Sequence, residues 1–171
     1  MPTLVMDPPP REFETLLERR RRLGQDRNDE MWEGVLHMTP APLRRHARLQ
    51  ARITVLLDPL GNAAGLEAIG EFNIGEADDY RIPDCGLLVP GPDALYLPTA
   101  ALVVEILSPG DKTMQKLPFY AAHGVQELVI VDPRQRKIDW LGLSGSEYRP
   151  IERSGLIDLS ADELLRRIDW P

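Results

Sequence analysis

Two acids stand where strands are expected: Asp84 in Ile82-Pro83-Asp84, and Glu105 in Leu102-Val-Val-Glu-Ile-Leu. Pro83 lacks a backbone donor and belongs at the start or edge of its strand, so Asp84 projects from a strand end. Glu105 interrupts an apolar run of the kind buried on both faces. An ionised carboxylate there is costly unless it is paired or bound to metal. An arginine partner, a raised pKa or a hard cation would each relieve that cost. Two strand carboxylates converging on Mg²⁺ or Mn²⁺, with waters filling the octahedron, suit such ions.

Lys112 and Lys116 follow Glu105's strand and are four residues apart, so they share one helical face. A lysine there can orient an attacking water or neutralise the charge of a pentavalent phosphate; the alternative is a solvated side chain. His46 falls on the apolar stripe of its helix with Leu49 and Ile53, as a hydrogen-bonded core histidine or a catalytic group. His37 and His123 show no partner pattern. Cys85 follows Asp84 and should face the other side of the strand as a small core residue.

The elements that must carry these groups follow from periodicity. Residues 1–10 hold four prolines and read as an extended arm. Arg11 to Leu23 suits a helix closed by Gly24, and Met31 to Met38 a strand interrupted at Gly34. A second helix spans roughly Leu43 to Leu57. Strand-like runs follow at Leu66–Ile74, Ile82–Val89 and Ala101–Leu107, then a helix from about Thr113 to His123 and a central strand from Glu127. Lys137–Leu143 and Glu147–Ile151 form a hairpin, and Ser160 with Glu163 makes a capping box for a last helix, Ala161–Ile168. The pattern predicts an α/β protein, a central mixed sheet flanked by helices, in a single domain over residues 1–171.

Bulk properties narrow the function. A net charge of −7 and a pI near 5.0 argue against tight, sequence-independent nucleic-acid binding, which rests on phosphate neutralisation. Two basic clusters, Arg19–Arg22 and Arg44/Arg45/Arg48/Arg52, run against that balance and read as solvated helix faces. One cysteine excludes an internal disulfide and suits a reducing compartment. The N-terminus lacks a signal-peptide core, and no stretch has the length of a membrane span, so a cytoplasmic protein without a membrane partner is expected.

The string from Val104-Glu-Ile-Leu-Ser-Pro-Gly through Leu128-Val-Ile-Val-Asp-Pro133 resembles the signature of the Uma-two family, restriction-endonuclease-like proteins with a PD-(D/E)XK core. Arg81-Ile-Pro-Asp84 is similar to that family's upstream acid, and Trp32-Glu-Gly-Val-Leu-His-Met-Thr-Pro-Ala-Pro followed by His46 to its N-terminal segment. The resemblance implies the restriction-endonuclease-like fold and a metal-dependent nuclease acting on nucleic acid, DNA by preference, with a homodimer common for the fold. It places Asp84 and Glu105 as first and second acids. They would hold Mg²⁺ or Mn²⁺ together with the carbonyl of Ile106. The motif's usual lysine, two residues after the second acid, is here Leu107, and Lys116 on the following helix matches its replacement. Glu30 or Glu33 could supply a further acid, or be exposed strand-edge acids. The competing expectation is a nuclease-like domain that binds or assembles without turnover.

Overall fold

Residues 4–6 (backbone only), 13–110 and 112–170 are described by a computed structural model of the protein. Most of the proline-rich arm lies outside them. Within that arm, Leu4–Met6 forms strand β1, which pairs antiparallel with β3.

The apolar run around Glu105 becomes β9, Leu102–Ile106, buried at every residue as an inner strand should be. It lies parallel to β10 (Glu127–Asp132) and antiparallel to β7 (Cys85–Leu88). The sheet extends through β11 (Lys137–Ser144) to β12 (Glu147–Pro150) on one side and to β4 (Glu67–Ile69) on the other.

A second six-stranded sheet has the order β1-β3-β2-β6-β5-β8. Its other strands are β2 (Glu30–Trp32), β3 (Val35–Met38), β5 (Asn73–Glu76), β6 (Asp79–Arg81) and β8 (Tyr96–Leu97). The protein is the mixed α/β fold expected, with its strands shared between two mixed sheets. The run Leu66–Ile74 explains the division: β4 joins one sheet and β5 the other, because Gly70 to Phe72 carry the chain between them.

The interrupted strand at Gly34 is a hairpin. Glu33 and Gly34 both adopt positive φ (50° and 83°), the two-residue turn whose twist matches paired strands.

Among the described residues four helices cover the sheets: α1 (Glu14–Arg22), α2 (Arg44–Ala63), α3 (Thr113–Ala122) and α4 (Ala161–Arg167). Helix α2 runs six residues past Leu57 and through Pro59, because its last turns pack tightly: a Cβ on Gly61 would sit 2.7 Å from Leu87 and 3.2 Å from the Leu66 carbonyl. The capping box at the start of α4 forms, with Glu163 N donating to Ser160 Oγ and Ser160 N to Glu163.

Alternation along β9 separates two cores. Leu102, Val104 and Ile106 pack with Leu49, Ile53 and Leu57 of α2, whereas Val103 packs with Phe119 and Tyr120 of α3. Glu105 therefore faces the α3 side, toward the second sheet. No helix among the described residues is long and apolar enough to cross a membrane.

Candidate active site

The sheet register brings the two acids together. Cys85 is paired with Val104, so the preceding residue, Asp84, falls opposite Glu105 on the adjacent strand. Asp84 is fixed from three directions. Its Oδ2 accepts from the Ile106 amide at 2.6 Å, its Oδ1 contacts His46 Nε2 at 2.7 Å, and its carbonyl accepts from Gln50 Nε2 at 2.6 Å. Cys85 turns the other way and is fully buried, as alternation requires.

Glu105 meets α3. Its Oε1 accepts from Lys116 Nζ at 3.1 Å and from the Tyr120 hydroxyl at 2.5 Å, whereas Oε2 accepts nothing among the described residues. Lys116 also contacts Glu30 Oε1 at 2.8 Å. Glu30, on β2, accepts the Ile82 amide at 2.7 Å and the Trp32 indole N–H at 2.8 Å, tying the second sheet to the segment that carries Asp84.

Two carboxylates thus contact one ammonium, with Asp84 beside Glu105, and Glu105 and Lys116 side chains are only 7% and 12% exposed. Burial, the Asp84 charge and the Glu30 charge push the Glu105 carboxyl up to about 7, against the opposing pull of Lys116. Burial alone would lower Lys116, but Glu105 and Glu30 override it and hold the amine well above its usual range. Lys116 stays charged; the excess negative charge falls on the acids.

Glu30, Asp84, Glu105 and Lys116 line one cleft of about 300 Å³, with Trp32, His37, Ser108 and Lys112 also in its wall. His46 lies in this wall rather than on the buried stripe of α2, and its Nδ1 is 3.2 Å from Ser108 Oγ. Burial lowers the His46 pKa, but the Asp84 hydrogen bond and charge outweigh it and raise the group overall. His37 is buried against Trp32, ring centroids 4.1 Å apart. Burial first, then Lys112, pulls its pKa down to about 4. Lys112 itself sits at the N-cap of α3, with its ammonium 5.9 Å over the Trp32 ring.

Glu33 does not join the cleft. It lies exposed on the hairpin turn, its amide donating to Asp79 Oδ1. Glu30, by contrast, is buried at the centre of the site. Tyr120 is a site residue that motif reasoning missed, although its place four residues after Lys116 puts both on one face of α3.

Among the described residues no group of three or more His, Cys, Asp or Glu side chains is arranged to hold a metal ion. The donor set does suit a hard cation that takes one or two carboxylates and completes its shell with water and substrate phosphate. Asp84 and Glu105 both retain unused oxygen lone pairs.

A mixed α/β fold with two strand acids and a helix lysine in one cleft has the layout of a nuclease-like protein. Among solved structures, a putative nuclease belonging to DUF820 from Anabaena variabilis ATCC 29413 superposes with a TM-score of 0.66 at 18% identity, covering 89% of this chain and 98% of that one. The family model described as Uma2, putative restriction endonuclease, matches residues 10–169, and the chain belongs to that family. No curated protein matches it.

Proposed function

We propose that the protein is a divalent-metal-dependent endonuclease that hydrolyses phosphodiester bonds of nucleic acid, DNA in the first place. The observation that carries this is the convergence of Asp84, Glu105 and Lys116 in one recessed cleft, with Glu30 also on the Lys116 ammonium. Asp84 and Glu105, with the Ile106 carbonyl, would hold Mg²⁺ or Mn²⁺. When bound, such an ion supplies Lewis-acid activation of water and neutralises charge at the phosphate. His46 orients Asp84 and Tyr120 orients Glu105. Lys116 spends two of its three donors on Glu30 and Glu105, which leaves one for a phosphate oxygen. The family match over residues 10–169 supports treating the chain as one nuclease-like domain. A cytoplasmic location and a homodimer complete the proposal.

The competing reading, a nuclease-like fold used for binding or assembly without turnover, draws on two observations. Lys116 already occupies Glu105, and no third acid, histidine or cysteine among the described residues completes a metal cage.

Thermal melting with added Mn²⁺ separates the two. Wild type should gain about 2.7 kcal/mol at one hundred times Kd by mass action, and Glu105→Gln should lose that gain. Cleavage of labelled DNA should fall by about a hundredfold or more in Lys116→Ala. An equal melting shift in Glu105→Gln would remove the metal site from these residues.

A further inference from the structure

The cleft is small and greasy for a duplex. About 300 Å³ is the lower end of pockets that take single small molecules. The groups at its floor are recessed: the side chains of Glu105, Lys116, His46 and Asp84 are 7%, 12%, 16% and 17% exposed. Its lining also includes the apolar side chains of Pro40, Pro42, Leu43, Leu107 and Pro109. Trp32, the aromatic in the wall, is occupied by His37 at 4.1 Å and by the Arg81 guanidinium at 4.5 Å.

Charge is distributed to match. Arg45, Lys112 and Arg134 line the cleft and make no ion pair among the described residues, in a chain of net charge −7. Arg45 and Arg134 are exposed, on the loop side of α2 and after β10. These three cations, with the Lys112 ammonium lying over the Trp32 ring, can serve a few consecutive phosphates. They fall short of the roughly 6–10 phosphate contacts by which duplex-binding proteins secure their hold.

A phosphate of a duplex lies on the ridge of a stiff rod, with its bases turned inward and paired. It cannot carry a nucleotide down to Lys116. An unpaired strand can bend a phosphate into the recess and lay the attached base on the proline and leucine wall.

We infer that the cleft takes an unpaired nucleic-acid strand, one nucleotide at a time, with Arg45, Lys112 and Arg134 holding the flanking phosphates. This rests on the nuclease reading above and specifies its substrate class. Because the base meets proline and leucine side chains and Trp32 is already covered on its faces, base identity is read weakly.

The test measures binding and cleavage separately on the full chain. Fluorescein-labelled oligonucleotides of one sequence, as single-stranded DNA, single-stranded RNA and a complete duplex, are titrated by anisotropy with EDTA, and end-labelled copies are incubated with Mn²⁺. Single strands should bind at least about tenfold more tightly than the duplex. The slope of log K against log salt should be about −2, three contacts at about −0.7 each. The double variant Lys112→Ser/Arg134→Ser should flatten that slope by about 1.4.

Preferred single-strand binding with cleavage supports both the inference and hydrolysis. Preferred binding without cleavage by the metal-supplied protein upholds the inference and removes hydrolysis. Duplex bound or cut as well as the single strand overturns the inference and leaves hydrolysis standing. Binding of neither form, or an unchanged slope in the double variant, also overturns it. Comparing the DNA and RNA arms identifies which unpaired strand is preferred, through the 2′-hydroxyl.

Discussion

Two buried glutamates sit on neighbouring parallel strands and are handled in opposite ways. Glu127, at the start of β10, is 5% exposed and accepts from neutral donors: the Trp140 indole at 2.8 Å, the Ser154 hydroxyl at 2.7 Å and the Gly155 amide at 2.7 Å. Its knot ties the β11 strand to the loop before α4 and lines no cavity described here. Glu105, near the end of β9, is equally buried. It faces a lysine, a tyrosine and two further carboxyl groups across a cleft. Both are buried acids on apolar strands, so burial by itself does not mark function. What separates them is whether satisfaction is complete: Glu127 has donors on both oxygens, whereas Glu105 has both of its donors on one.

The comparison can be broken most forcefully at Lys116. Lys116→Met leaves Glu30 and Glu105 buried without a cation and should cost about 4 kcal/mol, read by urea unfolding. A divalent ion should restore part of it. A loss under about 1 kcal/mol would mean that the acids are already neutral or wet. Glu127→Ala should be next, at about 3 kcal/mol, since it strands the indole, hydroxyl and amide donors. No metal should recover it, and recovery by Mn²⁺ would erase the distinction between the two sites.

Tyr120→Phe should cost about 1 kcal/mol and, unlike Glu127→Ala, weaken Mn²⁺ binding measured by calorimetry. A further effect is in pH. Glu105 keeps its proton in the folded state up to about 7, whereas the unfolded chain releases it near 4.5. The folded state then binds more protons across that window, so this stabilisation is present below 4.5 and lost as pH rises through 7. Subtracting the pH profile of Glu105→Gln from that of wild type isolates the contribution. A difference that rises with pH would mean that Lys116 holds Glu105 ionised throughout.

Part of the site was legible before any coordinates. Asp84 and Glu105 stood out as polar breaks in strand-like runs; spacing offered Lys112 and Lys116 alike, and the family resemblance singled out Lys116. Glu30 and Glu33 looked equivalent in sequence, yet one is buried under Lys116 and the other stands on a turn, because the hairpin at Gly34 turns only Glu30 inward. His46 read as a hydrogen-bonded core histidine or a catalytic group, because helical periodicity reports which face is covered, not whether the cover is a strand or a cleft.

Local order alone specified β9, β10, the hairpin of β11 and β12, and the Ser160 cap, since each depends on neighbours in the chain or on a period of two or 3.6 residues. The division into two sheets, the Asp84–Glu105 register and the contacts of His46 with Asp84 and Glu30 with Ile82 needed the tertiary fold. Those pairs are 38 and 52 residues apart, and only packing can choose between partners so distant.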